Sequence, residues 1–225
     1  MEFRPFAVDL KVRFRGATRR TGVLLRGIGP DGADAWGEYS PFPDYDAERA
    51  SRWWAAAMEA ANGVWGPAGS IRFERADVAV NSIVPEVEPA LAAALAVAGG
   101  CTTAKVKVSG REGVPADIAR VEAVASALGA GGRIRIDVNG GWSVDEAVTA
   151  LALLERAAQA GGVDGLEYVE QPCATIDELA QLRRRTRVPV AADESVRVPG
   201  QVAPVLAAHA ADVVILKAAP LGGVR

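Results

Sequence analysis

Apolar and polar positions follow two different rhythms along this chain. Residues 6–14, FAVDLKVRF, alternate one by one like a half-exposed strand, and TGVLLRGI (21–28) follows the turn-rich RGATRR (15–20). DAWGEYSPFPDYDAE (34–48) reads as a loop rich in aromatic residues and proline. AERASRWWAAAMEAANG (47–63) carries apolar residues at helical spacing and stops at Asn62-Gly63. Strand, strand, loop, helix predicts a small α+β domain over residues 1–77.

From residue 78 the rhythm becomes a regular alternation of strand and helix. The apolar runs VAVNSIV (78–84), TAKVKV (103–108), RIRIDV (133–138), GLEYVE (165–170), PVAAD (189–193) and DVVILK (212–217) are each followed by a helical pattern, except the last. The helix over 114–128 places Ile118, Val121, Val124 and Leu128 on one face. The next two helices open with Ser143 and Glu146, then Thr175 and Glu178. Both pairs fit the capping box, in which the cap and the third helical residue satisfy each other's backbone donors.

Strands alternating with helices predict βαβ units on a parallel sheet. The spacing of about 25 residues per unit approaches the roughly 30 of a (β/α)8 barrel. A doubly wound sheet is the competitor, but no strand is followed by G-x-G-x-x-G or G-x-x-x-x-G-K-[ST]. The expected architecture is therefore α/β, with an N-terminal α+β domain (1–77) and a TIM-type barrel domain (78–225). With Arg225 following the sixth strand, the barrel is expected to stop two units short.

Composition narrows the class. Lys and Arg number 25 against 28 Asp and Glu, a formal charge of −3, and no basic run offers a nucleic-acid face. RRRTR (183–187) is short and sits at a helix end, where the dipole favours positive charge. Cys101 and Cys173 stand in no metal-type spacing, so a reducing cytoplasm is the expected compartment. The start MEFRPFAVDLKVRFRG reads as too charged for a signal peptide, and no apolar stretch of about 18 residues suggests a membrane span. The single histidine, His209, is expected at a helix surface.

In a parallel barrel every strand points its C-terminal end at one mouth. Those ends carry Lys105 and Lys107, Asp137 with Asn139, Glu170, Asp193 with Glu194, then Lys217. The intervals from Lys107 through Asp137, Glu170 and Asp193 to Lys217 are 30, 33, 23 and 24 residues, about one unit each. Residues two apart on a strand share a face, so Lys105 and Lys107 project together, as do Asp137 and Asn139. Three converging carboxylates repel one another unless a cation sits among them. An oxygen-only set favours Mg²⁺. Lysines on either side suggest proton transfer next to a carboxylate, because nearby positive charge makes an ammonium give up its proton more readily.

The stretches AKVKV (104–108), RIDVNGGW (135–142), YVEQP (168–172), AADES (191–195) and VVILKAAPLGG (213–223) resemble the enolase superfamily, in its muconate-lactonizing-enzyme-like branch. Residues 1–77 are similar to that family's capping domain. Within the branch, VNSIVPEV (80–87), WGEYSPFPDY (36–45) and DESVR (193–197) are similar to the o-succinylbenzoate synthase family of the actinobacterial type. The resemblance implies a hydro-lyase of menaquinone synthesis that dehydrates 2-succinyl-6-hydroxy-2,4-cyclohexadiene-1-carboxylate through an enediolate. It implies Asp137, Glu170 and Asp193 as Mg²⁺ ligands, Lys107 as the base, and Lys217 on the opposite face. Lys105 would support Lys107, and Asn139 would lie beside the metal site. The stretch RGATRRTG (15–22) matches a mobile loop that closes over a small-molecule carboxylate, with Arg19 and Arg20 able to meet a succinyl group and Asn81 and Ser82 lining the pocket. Cys173, though close to Glu170, reads as a small packed residue. N-acylamino acid racemases and dipeptide epimerases share the lysines and the metal, so they remain the alternative activity. A non-catalytic fragment that keeps the motifs by ancestry is the alternative of another class.

Overall fold

The computed structural model describes residues 1–14, 16–63, 77–110 and 113–224, with residues 11–14 as backbone only. Arg15 of the expected loop and residues 64–76 of the expected first domain lie outside the described residues. The chain forms two compact units. One comprises Met1–Ala76, Arg197–Pro199 and Leu216–Arg225, the other Asp77–Val196 and Gly200–Ile215.

The first unit is an antiparallel sheet of β1 (Glu2–Phe14), β2 (Ala17–Ile28) and β3 (Asp34–Tyr39), with α1 (Ala47–Ala61) packed against it. Two glycines let the helix come close. A Cβ at Gly37 would sit 1.9 Å from the Ala57 carbonyl oxygen, and one at Gly27 would sit 2.0 Å from that of Ala61. Leu25 and Ala57 fill the small core between them. Two expectations are corrected here. Residues 34–39 form a strand rather than part of a loop, because Trp36 and its neighbours pair with β2 in register Arg26↔Trp36. Arg19 and Arg20 lie on strand β2, paired with Asp9 and Val8, and not in a loop.

The second unit carries six parallel strands in chain order: β4 (Ser82–Val84), β5 (Thr103–Lys107), β6 (Arg133–Asp137), β7 (Leu166–Glu170), β8 (Val190–Ala192) and β9 (Val213–Val214). A doubly wound sheet reverses its strand order at a switch point, whereas a barrel winds each strand beside its predecessor. The order is a barrel's. Between the strands run α2 (Pro89–Val97), α3 (Val114–Leu128), α4 (Val144–Ala160), α5 (Ile176–Arg183) and α6 (Val202–Ala207). A short α7 (Ala218–Leu221), assigned to the first unit, follows β9, where no helix was expected.

Alternation along the strands divides the work of the sheet. Ala104 and Val106 of β5 and Ile134 and Ile136 of β6 are fully buried in a core with Val121, Val124, Leu151 and Leu154 of the helices. Lys105, Lys107, Arg135 and Asp137 point to the opposite face, since side chains two apart share a side. Both expected capping boxes are formed, Ser143 with Glu146 on α4 and Thr175 with Glu178 on α5. The run VAVNSIV contributes only its last three residues to the sheet, and Val78 and Val80 stand exposed.

Candidate active site

β5 and β6 are in register at their ends, with Lys107 opposite Asp137, and β6 and β7 likewise, with Asp137 opposite Glu170. The ladder continues past the strands. Val108 N–H donates to Asp137 O at 3.1 Å, and Val138 N–H to Glu170 O at 3.2 Å. Successive strand ends are thereby held at one level, and their polar side chains meet.

Lys105 Nζ donates to Glu170 Oε1 and Oε2 at 2.9 and 3.1 Å and lies 3.0 Å from Asp137 Oδ2. Lys107 Nζ donates to the same Asp137 oxygen at 2.5 Å and to Asn139 Oδ1 at 2.7 Å. Asn139 in turn donates its backbone N–H to Asp137 Oδ1 at 3.2 Å and its Nδ2 to Glu194 Oε1 at 3.1 Å. Asn139 and Gly140 have φ of 53° and 75°, and Gly141 N–H donates to Val138 O at 3.3 Å. Asn-Gly in left-handed backbone makes the tight turn that ends β6 at the cluster. Six of the residues singled out in the sequence come together here, namely Lys105, Lys107, Asp137, Asn139, Glu170 and Glu194. Asp193, at the end of β8, is fully buried, with its charge acting on Glu170.

Asp137, Glu170 and Asp193 are 1%, 1% and 0% exposed, so their charges are felt strongly. Burial pushes the Glu170 carboxyl up, Asp137 and Asp193 push it further, and Lys105 only partly offsets them, leaving its pKa at about 7. Asp137 moves the other way. Burial opposes ionisation there, but Lys105 and Lys107 outweigh it and hold the pKa below the ordinary 3.8. Lys105 is likewise disfavoured by burial, yet Asp137 and Glu170 raise its pKa above 10.5 and it stays an ammonium. Cys173, pushed up to about 11 by burial, then by Glu178 and Glu146, is a packed and unreactive thiol.

The donor chemistry fits a hard divalent cation, being three buried carboxylates with no sulfur or imidazole among them. Burial first, and then the charges of Asp137 and Asp193, make Glu170 the carboxyl of the cluster that ionises least readily. Among the described residues, no three acidic, histidine or cysteine side chains are yet gathered closely enough to hold an ion. Lys105 Nζ instead sits within 3.0 Å of both Asp137 and Glu170, where a cation's charge is needed.

Other expected residues are placed elsewhere. Asn81 Oδ1 accepts from Arg135 Nη1 at 2.9 Å, and Ser82 Oγ donates weakly to Thr103 O at 3.4 Å. Both hydrogen bonds lie within the barrel unit, and Asn81 is tied to a charged layer with Glu167, which accepts from Arg135 Nε at 2.5 Å. Arg19 pairs with Asp9 at 2.7 Å. Arg20 stacks 4.2 Å over the Phe42 ring and donates to the Ser40 carbonyl and hydroxyl. Both arginines line a cavity of about 310 Å³ within the first unit. Lys217 precedes α7 and is assigned to the first unit. His209 is exposed, in left-handed backbone just past α6.

Two functional-looking features carry no signal in the sequence. Arg120, 2% exposed, pairs with Asp117 at 2.6 Å and donates to Val87 O at 2.9 Å, behind the end of β5. Gln171, 0% exposed, joins the ends of β6, β7 and β8. A glutamine in E-Q-P is undistinctive, because all its partners but Cys173 lie twenty or more residues away.

Residues 89–225 match the family model described as enolase C-terminal domain-like, and residues 5–61 the one described as enolase N-terminal domain-like. The chain belongs to the enolase superfamily. It is 54% identical over its whole length to o-succinylbenzoate synthase of Thermobifida fusca, of which it covers 66%. It is 44% identical over 97% of its length to o-succinylbenzoate synthase of Mycolicibacterium smegmatis, of which it covers 63%. The chain thus spans a little under two thirds of the length of these curated relatives. Solved superfamily structures agree in fold. The L-Ala-D/L-Glu epimerase of Bacillus subtilis superposes with a TM-score of 0.73 at 23% identity, covering 99% of this chain and 75% of that one. The o-succinylbenzoate synthase of Thermosynechococcus elongatus, complexed with Mg in its active site, gives 0.68 at 23% identity, covering 99% and 77%.

Proposed function

We propose that this chain carries the catalytic centre of an o-succinylbenzoate synthase, a hydro-lyase of menaquinone synthesis that uses Mg²⁺. The observation that supports it most is the meeting of Lys105, Lys107, Asp137 and Glu170 within 2.5–3.1 Å at the ends of successive parallel strands. The 54% identity to a relative of that name supports the substrate class.

Asp137, Glu170 and Asp193 hold the metal in this reading. Bound there, Mg²⁺ supplies positive charge that makes the hydrogen on the carbon next to the substrate carboxylate more acidic. The chain's own residues do the rest. Lys105, kept protonated between Asp137 and Glu170, is a fixed positive charge and no base. Lys107, its neighbour on the same face of β5, is the proton carrier, as the family resemblance implies. It removes the hydrogen on C1 of 2-succinyl-6-hydroxy-2,4-cyclohexadiene-1-carboxylate to give the enediolate. The same ammonium then returns the proton to the departing hydroxyl on C6, so water leaves and the ring becomes aromatic. One lysine can serve both steps if both bonds break on one face of the ring. Asn139, which accepts from Lys107 Nζ at 2.7 Å, aims the amine. The family resemblance assigns to Lys217 the stabilisation of the developing negative charge.

The test follows the loss of diene absorbance with Mg²⁺, for this chain and for the same chain completed to its relatives' length, each with Lys107→Ala. Turnover lost by at least a thousandfold in the variant supports the reading. The completed chain failing to dehydrate the diene while racemising N-succinylamino acids would sink it in favour of a racemase.

A further inference from the structure

Gln171 follows Glu170 directly and adopts φ of 38°, a left-handed backbone that residues other than glycine, asparagine and aspartate seldom take. Backbone of that kind persists only where the surroundings over-determine it. Here they do. The Gln171 N–H donates to Ala191 O at 2.8 Å and its carbonyl accepts from Gly140 N–H at 2.6 Å, tying β7 to the ends of its two neighbours. Its Oε1 accepts from the N–H groups of Asp193 and Ser195 at 3.0 and 3.2 Å. Its Nε2 donates to Cys173 O at 3.0 Å and Ser195 Oγ at 2.7 Å. Both acceptor sites and both donors of the carboxamide are in use, in a side chain with no exposure.

We infer that Gln171 is a positioning residue: its backbone turns the chain immediately after Glu170, and its carboxamide clamps the backbone at Asp193, so that the two carboxylates are presented together. This rests on the reading that Asp137, Glu170 and Asp193 hold a divalent cation. No other side chain supplies the same set of bonds. Glutamate lacks the two donors, methionine lacks all four functions, and asparagine is one methylene short. Partners that orient metal-binding carboxylates typically change metal affinity by about 10- to 100-fold when removed.

Gln171→Asn separates clamping from mere structure, because asparagine tolerates the left-handed backbone but does not span to Asp193 and Ser195. Mg²⁺ affinity by calorimetry and amide hydrogen exchange at Asp193 and Ser195 are measured for the wild-type chain and the variant. The expected result is a folded variant that binds Mg²⁺ about tenfold or more weakly and exchanges faster at both amides. Wild-type affinity together with wild-type exchange in the variant overturns the clamp. If the wild-type chain itself shows no saturable Mg²⁺ binding, the metal reading fails on that result, and exchange at Asp193 and Ser195 alone decides the clamp. Should Gln171→Asn not fold, Gln171→Met decides instead. It is close to glutamine in length but removes the Oε1 acceptor of the Asp193 and Ser195 N–H groups together with both Nε2 donors, so weaker Mg²⁺ binding with faster exchange at both amides supports the clamp. Unweakened binding with protected amides in that variant overturns it.

Discussion

Two ammonium groups share a single oxygen of Asp137, at 3.0 and 2.5 Å, and one of them also holds Glu170. That unequal sharing sends the two carboxyls in opposite directions. Asp137, with two lysines, ionises more readily than usual, and Glu170, deep in the protein beside two other carboxylates, less readily, at about 7 against an ordinary 4.5. For Glu170 the folded chain therefore keeps a proton between pH 4.5 and about 7 that the unfolded chain has released. Stability contributed by that proton is present below pH 4.5 and is lost as pH rises through about 7. Asp137 has the opposite sign, its contribution being lost only as pH falls below 3.8. Urea denaturation of the metal-free chain at pH 5 and pH 8 checks this. The wild type should lose stability between the two, and Glu170→Gln, which cannot ionise, should lose markedly less. Equal losses for the two proteins would refute the assignment.

At the scale of elements, what could be read from sequence was what depends on neighbours in sequence. The capping boxes of α4 and α5 are closed by residues three apart, so their signals are local and both were legible. Ser143→Ala removes the acceptor for Glu146 N–H and should cost about 1 kcal/mol of stability, read as a lower denaturation midpoint with unchanged slope. An unchanged midpoint would mean that packing alone holds the start of α4. Strand β3 was illegible for the converse reason. DAWGEY owes its extended form to pairing with Val23–Ile28 and to the approach of α1 over Gly37, both set by tertiary structure. Arg19 and Arg20 were misplaced in a loop because Thr18 and Gly16 signal a turn, while the pairing with Asp9 and Val8 that makes them strand is not local. The cluster of Lys105, Lys107, Asp137 and Glu170 was legible because one polar residue recurs at each strand end, about one unit apart. Gln171 and the Arg120–Asp117 pair were not, since nothing about a lone buried polar residue announces which distant backbone it serves.

For the molecule as a whole, the barrel unit concentrates three buried carboxylates against two lysines, so it is the part of the chain that a divalent cation should stabilise. A ligand that binds only the folded state adds about 2.7 kcal/mol at a concentration a hundredfold above its Kd. Binding through Glu170 must first remove the proton that this carboxyl holds up to about pH 7. At pH 8 that proton is already gone, and at pH 6 most molecules carry it. Apparent Mg²⁺ affinity should therefore be about tenfold weaker at pH 6 than at pH 8, the factor set by one proton whose pKa lies midway. The stabilisation seen at a fixed, sub-saturating Mg²⁺ concentration should shrink with it. Calorimetry in two buffers of different ionisation enthalpy counts the proton directly, with close to one released per Mg²⁺ at pH 6 and close to none at pH 8. Asp193→Asn should abolish the saturable binding at both pH values while leaving the lysine–carboxylate pairs of β5, β6 and β7 in place. Affinity and proton release that do not change between pH 6 and pH 8 would remove Glu170 from the ligand set, and with it the assignment of the metal to these three strand ends.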